Sequence, residues 1–158
     1  EKYLEQYLNI SKVLWLKEGI AGDDTDGHID DIARFVSKDI IVCAYEDNKD
    51  DENYPILKEN LKLLKNMTDT NGKKFNIITL PMPGIAEIEG KRLPASYTNF
   101  YIGNKAVVVP TFRHKNDEKA LSILRGLFPG RKVVGVDCKT MIGGMGTLHC
   151  ASQQQPKA

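Results

Sequence analysis

The strongest constraint on this chain is an order of apolar runs and turn signals that occurs twice. Residues 33–36 (ARFV), a turn at residues 37–39 and the run IIVCAY form a candidate hairpin. A helical pattern follows, with Leu57, Leu61, Leu64 and Met67 on one face and a stop at Asn71 and Gly72. The run FNIITLP closes the unit. The same order then returns as TNFYI, a turn at Gly103 and Asn104, and AVVVPTF. A helix carrying Ala120, Leu124 and Leu127 stops at Pro129 and Gly130, and KVVGVD closes the second copy. Each copy predicts strand–turn–strand–helix–strand, with hairpins roughly 65 residues apart. Such ββαβ units point to an α/β array or propeller, in which each unit covers its neighbour's apolar face. Two copies cannot close a ring. The segment GTLHCASQQQ predicts the opening strand of a further unit.

Outside the repeat, Tyr3, Leu4, Tyr7 and Leu8 predict a short amphipathic helix over residues 1–10. Val13, Leu14, Trp15 and Leu16 predict a buried strand, with Trp15 in the core. Between the two copies, IAEIEGKRL predicts a small polar hairpin.

With 158 residues the chain suffices for one ordinary domain. Its net charge of +1 carries no nucleic-acid footprint. No apolar run approaches the ~20 residues needed to span a bilayer, and no signal peptide is visible. Three cysteines, with neither a CxxC pair nor zinc-like spacing, argue against a disulfide framework or a zinc site. Reduced thiols in the cytoplasm are the expectation.

Two segments could carry chemistry. Residues 23–31 (DDTDGHIDD) hold five carboxylates and His28. Loops collect Asp and Gly for conformational reasons, so a solvated turn is one reading. A calcium loop fails, since it would need Glu where Ala33 stands. If the stretch enters the strand at residues 32–36, His28 and Asp30 face one side and Asp31 the other. An imidazole beside a carboxylate suits acid/base work, and equally a structural hydrogen bond.

The second segment is GGMGTLHC, whose glycines let the backbone approach a ligand closely. Cys150 at its end is either a presented nucleophile or an inert buried thiol. As its neighbour on a strand, His149 would face away from Cys150, which favours distant His28 as the partner. Cys43, within IIVCAY, reads as core, Cys138 as structural and His114 as surface.

Taken in this order and spacing, GDDTDGHIDDIARFV, LPASYTNFYIGNKAVVVPTF, VVGVDC and GTLHC resemble agmatine deiminases, among the guanidine-modifying enzymes. The wider group includes bacterial-type peptidylarginine deiminases. The resemblance covers essentially the whole chain. It implies a five-bladed α/β propeller (pentein) of ββαβ units, of which residues 1–158 would be the C-terminal half of one catalytic domain.

It further implies Cys150 as nucleophile, His28 as general acid/base, Asp30 as a carboxylate gripping the guanidinium, and Asp24 as an acid toward the far amine of agmatine. The implied reaction is hydrolysis of agmatine to N-carbamoylputrescine and ammonia through an amidino-cysteine, in putrescine biosynthesis, with no metal or organic cofactor. The family's second guanidinium carboxylate belongs to an N-terminal motif that these residues do not contain. The missing half is therefore an expected partner and the chain alone an expected incomplete enzyme; homo-oligomerisation stays open. Three rival readings stand beside this one: peptidyl-arginine or free arginine as substrate, a non-catalytic propeller fragment, and a cysteine protease using Cys150, His28 and Asp30.

Overall fold

The structure, a computed structural model, describes residues 1–24 and 27–155. Both expected repeats are present as three-stranded sheets. In the first, β1 (Ala33–Phe35) runs antiparallel to β2 (Ile40–Tyr45), which is parallel to β3 (Asn76–Pro81). Parallel neighbours need a crossover, since a tight turn only reverses the chain. The helix α2 (Asn53–Asn66) supplies it, after the N-terminal helix α1 (Lys2–Leu8). A small hairpin, β4 (Ala86–Ile88) with β5 (Lys91–Leu93), connects the repeats. It turns at Glu89 and Gly90, both at positive φ, the backbone that two-residue hairpins of this twist require.

The second sheet has the same plan. β6 (Tyr101–Ile102) is antiparallel to β7 (Ala106–Thr111), and β7 is parallel to β8 (Lys132–Asp137) across α3 (Asp117–Leu127). Period-2 alternation on β2 explains how the two repeats share a core. Ile41 and Cys43 face α2 and pack with Leu57 and Leu64. Val42 turns the other way and joins Tyr97, Phe100, Val107 and Val109 of the second repeat. Being buried on both faces, β2 reads as a continuous apolar run. On β8, Val133 is buried while Val134 and Val136 remain open to solvent.

Three expectations fail. Residues 13–16 form no strand, and Trp15 is 66% exposed, its indole Nε1 donating to Glu1 Oε1. Among the described residues no strand pairs with this run, so its backbone has no ladder to join. The expected N-terminal helix is present as α1, with none of its residues buried. The segment 147–155 is not a strand either. A 3-10 turn (Met141–Gly144) leads into a second turn in which the Ala151 amide donates to the Thr147 carbonyl. Cys43 and Cys138 are buried, as expected, while His114 is half-buried against Gly84 rather than on the open surface.

Candidate active site

Residues 93–100 are buried throughout although none after Leu93 belongs to a strand. Such a run needs partners for its polar groups. Ser96 and Thr98 pair through their hydroxyls. The Tyr97 hydroxyl donates to Asp117, which also accepts the amides of Phe112 and His114. Arg34, on β1, places its guanidinium over the Phe100 ring and donates to the carbonyls of Thr98 and Phe100.

These anchors present Asn99, which is 1% exposed, to two other segments. Its amide Nδ2 lies 3.1 Å from Asp30 Oδ2, 3.0 Å from Asp31 Oδ1 and 3.0 Å from Cys150 Sγ. Its Oδ1 accepts the Thr147 hydroxyl and the backbone amides of His149 and Cys150. One side chain thus ties the acidic loop to the cysteine loop.

The acidic loop reaches Asn99 as a 3-10 turn (Ile29–Asp31). With three residues per turn, positions two apart no longer share a face. The expected pairing of His28 with Asp30 is therefore replaced. The His28 amide donates to Asp23, and its half-exposed imidazole stands 3.9 Å from that carboxylate. Asp30 instead faces His149 Nδ1 at 2.6 Å and receives the Cys150 thiol at 3.3 Å. Asp31, expected to point away, is buried in the same cluster. Asp24 is exposed, and Asp26 lies outside the described residues.

On the cysteine side, the turn that replaces the expected strand sends both His149 and Cys150 toward Asp30. Cys150 itself is exposed. Gly146 makes this possible, because a Cβ there would sit 2.7 Å from Cys150 Cβ and 2.9 Å from its sulfur. Only a glycine lets the thiol occupy that space.

Charge in the cluster is unevenly distributed. Burial works to raise Asp30, but hydrogen bonds from His149 and Cys150 outweigh it and hold the carboxyl below its usual range. Burial and the neighbouring Asp30 push Asp31 up to about 7, against the Asn99 hydrogen bond. Asp31 Oδ2 is buried without a hydrogen-bond partner among the described residues. Burial raises the Cys150 thiol; the Asn99 amide opposes this, and the charges of Asp30 and Asp31 reinforce it. Burial also draws the Arg34 guanidinium down, while Asp30, Asp31 and Cys150 pull the other way. Before any cation enters, this site favours a thiol over a thiolate. A cation placed among the carboxylates would reverse that preference.

One carboxylate oxygen from each aspartate and the Cys150 sulfur lie within 4.8 Å of one another. Asn99 and Arg34 are not singled out by the sequence, whereas Asp31 and His149 are expected there to face away from the site. A run of eight buried residues holding Ser, Thr and Asn would have been the signal for Asn99, but burial is not visible in the string SYTN.

The sequence profile of the Porphyromonas-type peptidyl-arginine deiminases matches residues 1–156. The chain belongs to that family. Within it, a Legionella pneumophila protein provisionally named an agmatine deiminase is 38% identical over the whole of this chain and 46% of its own length. A provisionally named arginine deiminase of Porphyromonas gingivalis has the same fold, with a TM-score of 0.95 and 42% identity over 99% of this chain and 46% of that one. A cysteine-to-serine variant of the C. jejuni agmatine deiminase, solved with substrate bound, superposes with a TM-score of 0.88 at 34% identity, covering 96% of this chain and 44% of that one. The chain spans about half the length of the family members it matches. No described helix is long and apolar enough to cross a membrane.

Proposed function

We propose that this chain is the nucleophile-bearing, C-terminal half of an agmatine deiminase, a cytoplasmic hydrolase of a polyamine route whose two ββαβ units form part of a five-bladed ring. The observation that carries the reading is the convergence of Cys150 Sγ with Asp30 and Asp31 around the Asn99 amide. A guanidinium is a planar cation with hydrogen-bond donors along its edges. A half-open carboxylate cluster beside a sulfur is suited to hold such a cation and to attack its carbon.

In this mechanism Asp30 binds the guanidinium, and Asp24 favours the distal amine. The cation lowers the Cys150 thiol into its thiolate range, and the thiol proton passes to His28. The sulfur forms a bond to the guanidinium carbon, giving a tetrahedral species. The C–N bond to one terminal nitrogen then breaks, and His28 delivers the proton that lets it leave as ammonia. Water next attacks the amidino-cysteine with His28 as base, the C–S bond breaks, and N-carbamoylputrescine leaves with the thiol regenerated. His28 stands one residue before the turn that carries Asp30, with an exposed imidazole that can rotate from Asp23 toward that nitrogen.

The substrate-bound cysteine-to-serine relative supports a cysteine-dependent reaction on agmatine. The test is ammonia release from agmatine, arginine and an arginine peptide. Residues 1–158 are assayed alone, then mixed with the other half of a relative. Agmatine turnover on mixing, with little from the other substrates, is the expected result. Turnover of the arginine peptide alone would move the substrate assignment, and no turnover in any mixture would end it.

A further inference from the structure

We infer that Arg34 is a positioning residue: it pins the backbone on both sides of Asn99 and thereby holds the Asn99 amide against Cys150. The inference rests on the reading of Cys150 as nucleophile.

The geometry is specific. A single guanidinium nitrogen, Nη1, donates to the Thr98 carbonyl at 3.3 Å and to the Phe100 carbonyl at 2.9 Å. These carbonyls bracket Asn99 in sequence. The guanidinium carbon Cζ lies over the Phe100 ring, 4.9 Å from its centroid, so a third contact fixes the same short segment. No strand ladder holds residues 96–100, so their register depends on such side-chain anchors.

Arg34 itself sits on a fixed element, since β1 pairs with β2 in the register Arg34↔Val42. The force therefore runs from a sheet, through one side chain, to a strandless loop. Asn99 then distributes it to Asp30, Asp31, the Cys150 sulfur and the amides of His149 and Cys150. Arginine suits this work because its planar fork stays charged and pre-organised where a lysine ammonium does not. Its charge also faces Asp30, Asp31 and Cys150. A purely electrostatic role would act on the sulfur directly, whereas a clamp acts through Asn99, and the two can be told apart.

The experiment is iodoacetamide labelling of the 158-residue chain from pH 6 to 10, with peptide mass spectrometry resolving Cys150 from Cys43 and Cys138. Arg34→Met, Asn99→Ala and the double variant complete a cycle. Arg34→Met is expected to move the Cys150 labelling midpoint to higher pH and to slow labelling at pH 8 by about tenfold, equivalent to about 1.4 kcal/mol. In the Asn99→Ala background the same substitution is expected to have less than half that logarithmic effect. An unchanged midpoint in Arg34→Met, or equal effects in both backgrounds, would overturn the clamp. The buried Cys43 and Cys138 report folding: if Arg34→Met exposes them, the cycle is read with Arg34→Lys, judged by the same two criteria. Failure of wild-type Cys150 to label at any pH would sink the nucleophile reading instead.

Discussion

His149 Nδ1 lies 2.6 Å from Asp30 Oδ2, a contact that joins residues 119 positions apart. That imidazole and the Cys150 thiol together offset the burial that would raise Asp30. Replacing His149 with Ala should therefore raise the Asp30 carboxyl. In the mixed-halves assay, the acidic limb of kcat/KM should move to higher pH, with a loss of about tenfold at neutral pH. An unchanged acidic limb would show that Asp30 is set by other groups.

Cys150→Ala should abolish turnover, by about 10⁴-fold or more, without disturbing the fold. Gly146 leaves room around the sulfur, so removing that atom strains nothing. Mass spectrometry of the wild type during turnover should find an amidino adduct on Cys150. An adduct on Cys43, whose thiol burial pushes up to about 12, would refute the assignment.

His28→Ala and Asp30→Ala should fail differently. Loss of proton transfer should lower kcat, by roughly 10²–10⁴, with KM little changed. Loss of Asp30 should weaken cation binding in both ground and transition states, raising KM as well as lowering kcat. Steady-state kinetics on agmatine separate the two. A His28 variant with near-normal kcat would transfer the acid/base role elsewhere, with His149 the first residue to test.

Asp31 makes stability depend on pH. Its folded carboxyl titrates at about 7, above the ordinary range near 4 that it has when unfolded. Between those values the folded chain keeps a proton that the unfolded chain releases. The favourable contribution is thus complete below about pH 4 and fades as pH rises to about 7. Asp31→Asn has no such proton to lose. Thermal melts from pH 4 to 8 should show the wild-type Tm falling relative to Asp31→Asn, by on the order of 5 °C across the window. A constant gap would mean that Asp31 is ionised in the fold throughout.

The strands β2, β3, β7 and β8 and the helices α2 and α3 were legible in the sequence because their signals are local. Apolar residues at period 2 or 3.6, closed by Gly, Asn and Pro, state both the element and its buried face. The choice of Cys150 and Asp30 came from glycine and acid patterns together with a family resemblance, and the structure brings those two side chains together. The partners assigned to them by strand alternation did not follow. Residues 28–31 and 147–151 form turns, and a turn changes which neighbours share a face.

The sequence by itself determined the repeated ββαβ order, the core identity of Cys43 and the two loops that carry Asp30 and Cys150. Each depends on residues close together along the chain. Tertiary structure alone decided that Asn99 joins those loops, that His149 rather than His28 meets Asp30, that Asp31 is buried, and that Arg34 brackets Asn99. The physical reason is that hydrogen bonds and desolvation act over a few ångströms of space. Only packing of the two sheets on a shared core brings residues 30, 99 and 150 within that range.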